Sequence, residues 1–118
     1  LFNEKDLMLI ANHTIIPNFI TDKVIESKII NIKKTKTANI ANKIVVIDSA
    51  DPGYDWIFSY KIKGLITLYG GLASHMAIRC AEFNIPAAIG CGSLLYETVN
   101  SSEKILLDCK NKKIKKII

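Results

Sequence analysis

The chain has 118 residues, 49% of them hydrophobic and 23% charged, which gives room for one compact domain and excludes a disordered chain. A net charge of +5 comes from 16 Lys and Arg against 11 Asp and Glu, and Arg79 is the single arginine. Without arginine clusters or interleaved aromatics, that excess reads as a solvated lysine surface and excludes a nucleic-acid partner. No apolar run approaches the roughly 20 residues that span a bilayer, so no membrane partner is expected. Three cysteines, Cys80, Cys91 and Cys109, show neither CxxC pairing nor metal-type spacing. Reduced thiols, a cytoplasmic location and no metal site are expected. The first residue is Leu1, so the expectation is a piece of a longer protein.

Residues 1–17 have mixed polarity and are expected to be a lead-in from a preceding domain; Asn12 and His13 interrupt their apolar character. A basic signal-peptide flank is lacking. Pro17-Asn18 marks a turn, and the compact unit is expected over 18–118. Val24 to Ile32 reads as a turn and then a strand, and Lys33 to Asn42 as a polar loop. Lys43-Ile44-Val45-Val46-Ile47 reads as a strand, a short β-branched run bounded by polar residues, the pattern of a strand buried on both faces. Cap and turn residues Asp48 to Gly53 follow, then a predicted helix from Tyr54 to Tyr60 with Trp56, Ile57 and Tyr60 inward.

Gly64 to Leu68 is a second buried strand, so strand, helix and strand form a βαβ unit with parallel strands. A helix is predicted from His75 to Phe83, and Ala87 to Gly90 reads as a third strand. Leu94 to Val99 reads as a helical turn. Lys104 to Cys109 and Ile114 to Ile118 read as a hairpin, with the Lys110 to Lys116 run on a solvated face. The fold class is α/β.

The chemistry concentrates in Gly70-Gly71-Leu72-Ala73-Ser74-His75-Met76-Ala77-Ile78-Arg79, which sets a histidine at a helix start directly after a strand and a glycine pair. Glycine lets the backbone turn sharply and approach a ligand. Ser74 suits the N-cap, and the first helical turn offers free N–H groups and partial positive charge to an anion. A phosphoryl group on His75 would sit in that field, and Arg79, one turn on, could pair with its oxygens. A neutral imidazole can attack phosphorus and later leave, dividing one transfer into two. Taken singly, each residue has a plainer role: a turn at Gly70-Gly71, a cap at Ser74, exposed helix positions at His75 and Arg79. Asp51 and Asp55 read as helix caps, His13 as a surface residue and Cys91 as structural.

The run Gly70-Gly71-x-x-Ser74-His75-x-Ala77-Ile78, continued by Ala81-Glu82-x-x-Ile85-Pro86-Ala87 and Gly90, resembles the mobile, swivelling domain of PEP-utilising enzymes. Phosphoenolpyruvate synthase, pyruvate phosphate dikinase, rifampicin phosphotransferase and Enzyme I of the sugar phosphotransferase system carry that domain. The resemblance extends from about residue 44 to 118. It implies a compact β/β/α swivelling domain with a mixed sheet, in which His75 is the phosphohistidine and Gly70, Gly71, Ser74 and Arg79 support the phosphate. Family precedent places the phosphoryl group on the ring nitrogen distal to the backbone.

The resemblance also implies partners within one longer chain: an ATP-grasp domain that donates the β-phosphoryl of ATP, releasing AMP and phosphate, and an acceptor-binding domain. ATP and Mg2+ would belong to that longer enzyme and no cofactor to this domain, which would be inactive alone. Asp51-Pro52-Gly53-Tyr54-Asp55-Trp56 resembles phosphoenolpyruvate synthase-like members. It also resembles a glutamine kinase of capsule phosphoramidate synthesis, which narrowly favours the L-glutamine amide as acceptor over pyruvate. Two features depart from the family pattern: Ala73, where regulated dikinases carry threonine, and Tyr69 before the glycine pair. A non-catalytic module on the same fold, or a purely structural swivel as in aconitase-like enzymes, is the rival reading.

Overall fold

The computed structural model describes residues 16–32 and 39–118. Its elements are β1 (Asn18–Ile20), β2 (Val24–Asn31), β3 (Ile44–Ile47), a 3-10 helix (Pro52–Ser59), β4 (Gly64–Thr67), α1 (His75–Glu82), β5 (Ala87–Ile89), α2 (Gly92–Asn100), β6 (Lys104–Asp108) and β7 (Lys113–Lys116). Nearly all of the expected lead-in, including His13, lies outside the described residues, as does most of the loop expected at 33–42.

Every residue of β3 and β4 is buried, which is why their β-branched runs lack polar alternation: both faces of these strands meet apolar layers. They pair in parallel, Ile44 opposite Gly64 and Ile47 opposite Thr67, as the βαβ reading requires. The mixed sheet runs β1-β5-β4-β3-β2-β6-β7, parallel from β5 through β2 and antiparallel at both flanks. β2 serves two partners: Val24 to Lys28 pair with β6, and Ile29 to Asn31 pair with β3.

Successive residues of the central strands feed opposite cores. Val45, Ile47 and Leu65 pack with Ile57 of the 3-10 helix and with Met76, Ala77 and Cys80 of α1. Ile44, Val46 and Ile66 pack on the other side with Val99 of α2 and with Ile105 and Leu107 of β6. Each fully buried Ile or Leu contributes about 1.5–3 kcal/mol relative to exposure, so the two layers hold the sheet firmly from both sides. The three cysteines are free thiols within these cores. Burial pushes Cys80 and Cys91 up to about 12 and Cys109 up to about 11.

The segment 52–59 differs from expectation in its period. A 3-10 helix repeats every three residues. Tyr54 and Ile57 therefore share the inward face, while Trp56 stays 45% exposed. Tyr60, the C-cap, turns out of the helix with extended backbone (φ −106°, ψ 157°) and is 50% exposed. Trp56 and Tyr60 meet each other edge to face at 6.1 Å instead of entering the core. Val24 is already strand, with no preceding turn inside 24–32.

Candidate functional site

β3 and β4 run parallel, so the segments leaving them emerge at the same edge of the sheet. One begins the 3-10 helix and the other begins α1. Open α/β sheets build their sites at this edge.

The turn after β4 is shaped by Gly70. Its φ is +131°, and a Cβ there would lie 2.5 Å from the Ala50 Cβ and 3.0 Å from Ile89 Cγ2, so only glycine fits. Beneath it runs the segment after β5. Gly90, at φ +75°, turns directly under the Gly70 carbonyl, with no room for a side chain between them. The Gly90 amide donates to Thr67 Oγ1 at 2.9 Å, while Cys91 N and Gly92 N donate to the carbonyls of Thr67 and Leu68. Gly71 has a different role. A Cβ there would touch nothing within 4 Å, but its carbonyl accepts from the Ser74 amide at 3.1 Å and from Ser74 Oγ at 2.6 Å.

Ser74 caps α1 as expected, with extended backbone (φ −69°, ψ 156°) and Oγ accepting from the Ala77 amide at 3.4 Å. His75 is then the first helical residue, with its side chain 37% exposed. Its Nε2 lies 2.8 Å from Oδ1 of Asp55. The same Oδ1 accepts from Arg79 Nε at 3.0 Å, while Arg79 NH1 donates to Glu82 at 3.2 Å. The guanidinium also lies over the Phe83 and Phe58 rings, 4.6 and 5.8 Å from their centroids. It is therefore held in a fixed place beside the imidazole. Among the described residues His75 Nδ1 makes no hydrogen bond.

The expected pairing of His75 and Arg79 on one helical face is present, but Arg79 faces carboxylates in this state. Asp55 was expected to cap a helix. Asp51 alone does so, its Oδ1 accepting from the Gly53 amide at 2.6 Å. Asp55 instead reaches across to α1. The hydrogen bond from the His75 imidazole, and then the Arg79 guanidinium, hold the Asp55 carboxyl below the ordinary carboxylate range. In sequence the two partners stand 20 and 24 residues away. The usable clue was the parallel βαβ unit, which brings the start of both connections to one edge.

Cys91 is no nucleophile. It is 3% exposed, its Sγ donates to the Ala88 carbonyl at 3.6 Å, and its raised pKa keeps it a thiol. No group of three or more His, Cys, Asp or Glu among the described residues could hold a metal ion. No described helix is long and apolar enough to cross a membrane. The arrangement offers one exposed imidazole, a neighbouring guanidinium, and the amides of a helix N-terminus, a set suited to a nucleophile that carries an anionic group.

Comparison with known proteins identifies the family. The family model "PEP-utilising enzyme, mobile domain" matches residues 40–112. Phosphoenolpyruvate synthase of Escherichia coli (strain K12) is 33% identical over 66 residues, 56% of this chain and 8% of that protein. Rifampicin phosphotransferase of Bacillus cereus is 35% identical over 72 residues, 60% of this chain and 8% of that protein. The match thus spans less than a tenth of either relative's length. The solution NMR structure of a UPF0107 protein shares the fold, with TM-score 0.64 at 15% identity over 88% of this chain and 98% of that one. Matched over the stretch that includes both Asp55 and the whole of α1, the chain belongs to the mobile-domain family of PEP-utilising enzymes.

Proposed function

We propose that His75 is the phosphoryl carrier of a phosphotransferase, receiving the group from ATP at one site and surrendering it at another. The observation that supports this most is the partly exposed imidazole at the first position of α1, with Arg79 one turn on and bonded to the same carboxylate oxygen as the ring. A ring nitrogen attacks phosphorus with its lone pair, the P–O bond to the donor breaks, and the donor oxygen keeps that electron pair. The guanidinium and the helix N-terminus then offset the charge on the bound group. Transfer to the acceptor reverses these roles, with the imidazole as leaving group.

ATP, and the Mg2+ that would accompany it, belong in this reading to other parts of a longer chain: an ATP-grasp domain and an acceptor-binding domain between which this one moves, in the cytoplasm. In the same proposal the ring attacks the β-phosphorus and AMP leaves; water then cleaves the β–γ bond, phosphate departs, and the β-phosphoryl stays on the ring. The relatives carry the domain in one enzyme named for its product, phosphoenolpyruvate synthase, and one named for a chemically unrelated compound it phosphorylates, rifampicin phosphotransferase. The acceptor is therefore chosen outside this domain. The glutamine amide, and with it a place in capsule synthesis, finds no counterpart among those relatives, and pyruvate is the first acceptor to assay.

The test is to incubate the longer chain with ATP labelled in the β position. Acid-labile, alkali-stable label on His75 is expected. A fully folded chain that carries no such label would favour the non-catalytic module on the same fold.

A further inference from the structure

The carboxylate oxygen of Asp55 stands where a phosphoryl group on the distal ring nitrogen would have to stand. Oδ1 lies 2.8 Å from His75 Nε2 and 3.0 Å from Arg79 Nε, so one anionic oxygen engages both groups expected to hold the phosphate. A phosphorus atom bonded to Nε2 needs the space directly in front of that nitrogen, and it brings a second anion beside the carboxylate. Both cannot be there together. With Asp55 in place, the neutral ring also carries its proton on Nε2 and its lone pair on Nδ1, so Nε2 cannot attack.

Resting on the reading of His75 as phosphoryl carrier, we propose that Asp55 is an internal stand-in for the phosphoryl group. It holds Nε2 and Arg79 in the unmodified domain and releases both when Nε2 is phosphorylated. Asp55 is a positioning residue in this scheme. It masks the nucleophile, keeps the guanidinium aimed at the ring, and passes it from carboxylate to phosphoryl oxygens. Its side chain is 44% exposed and leaves the 3-10 helix toward α1, so it can swing into solvent without opening the core, which Ile57 anchors.

This chain alone suffices for the test, with potassium phosphoramidate as phosphoryl donor. The ring proton moves to Nδ1 and the Nε2 lone pair forms the N–P bond. The P–N bond of the reagent breaks, and its nitrogen keeps that pair, takes up a proton from solvent and departs as ammonia. Phosphorus-31 NMR identifies which ring nitrogen is modified, and carbon-13 NMR follows the Asp55 carboxyl as pH is varied. In the unmodified chain that carboxyl is expected to titrate below 3.8. Once Nε2 carries phosphate it should titrate higher, having lost both partners and gained an anionic neighbour. Because the label is acid-labile, the rise is read on the upper, less acidic part of the titration, with phosphorus-31 NMR confirming that the phosphate is still bound. Asp55→Ala and Asp55→Asn, both at a half-exposed position, should be modified on Nε2 at least several-fold faster than wild type.

An Asp55 carboxyl indifferent to phosphorylation would overturn the exchange, as would equal or slower modification of both variants. Modification confined to Nδ1, with Asp55 still bound to Nε2, would overturn it while leaving His75 as a carrier. Absence of label on His75 in the longer chain with ATP is a separate result that bears on the carrier reading itself.

Discussion

Replacing Gly90 with alanine should damage this domain, whereas the same change at Gly71 should not. At Gly90 the backbone sits at φ +75°, and the new Cβ would be driven into the Gly70 carbonyl. The left-handed conformation costs alanine about 1–2 kcal/mol. Separating two packed backbone segments costs about 1–3 kcal/mol more. The stiffer unfolded chain returns about 0.4–1 kcal/mol. The net loss is about 1–4.5 kcal/mol.

With a urea slope near 1.5 kcal/mol/M for a domain of this size, the unfolding midpoint of Gly90→Ala should fall by about 0.7–3 M. At Gly71 a Cβ meets nothing within 4 Å, so the change should stay within about 0.5 kcal/mol. Urea titration by circular dichroism measures both. The reasoning fails if the Gly90 variant unfolds within about 0.3 M of wild type, or if the Gly71 variant is equally weakened. Because Gly90 braces the loop that sets Ser74 and His75, the Gly90 variant should also lose phosphoryl capture under native conditions.

Two further outcomes follow from buried or bonded ionisable groups. Asp108 closes the β6–β7 turn, its carboxylate accepting from the Asn111 amide at 2.8 Å and from Asn111 Nδ2 at 2.9 Å, and these bonds hold its carboxyl below 3.8. A depressed folded value means the contribution is fully present above pH 3.8 and is lost as pH falls through that lower value. Asp108→Asn should therefore be less stable than wild type at pH 6, and the difference should shrink in urea titrations taken toward pH 2. The thiols of Cys80, Cys91 and Cys109 are buried and pushed up to about 11–12. Iodoacetamide at pH 8 should add nothing to the native protein and three groups after denaturation, as read by intact mass.

The parts of this fold legible from sequence were those whose signal is local. Ile44 to Ile47 and Gly64 to Thr67 announce buried parallel strands because β-branched runs between polar residues fit little else. Gly70, Ser74 and His75 lie within six residues, and their order alone describes a turn, a cap and a helix start. Asp55 escaped because its meaning is tertiary. Next to Asp51-Pro52-Gly53 it reads as one more capping residue, and only parallel pairing of β3 and β4 brings it to α1. An α-helical period of about 3.6 would turn Trp56 and Tyr60 inward, but the chain forms a tighter helix here, whose ending turns Tyr60 away. The sequence shows Arg79 only as a residue able to pair with phosphate or as an exposed helix position, because nothing nearby, apart from Glu82, discloses its carboxylate partners.

The account is tested most directly by acceptor turnover in the longer ATP-competent chain with His75→Ala, measured as phosphorylated acceptor formed per enzyme. Activity should fall to background while the variant keeps its unfolding midpoint. Wild-type turnover without that imidazole would contradict the account.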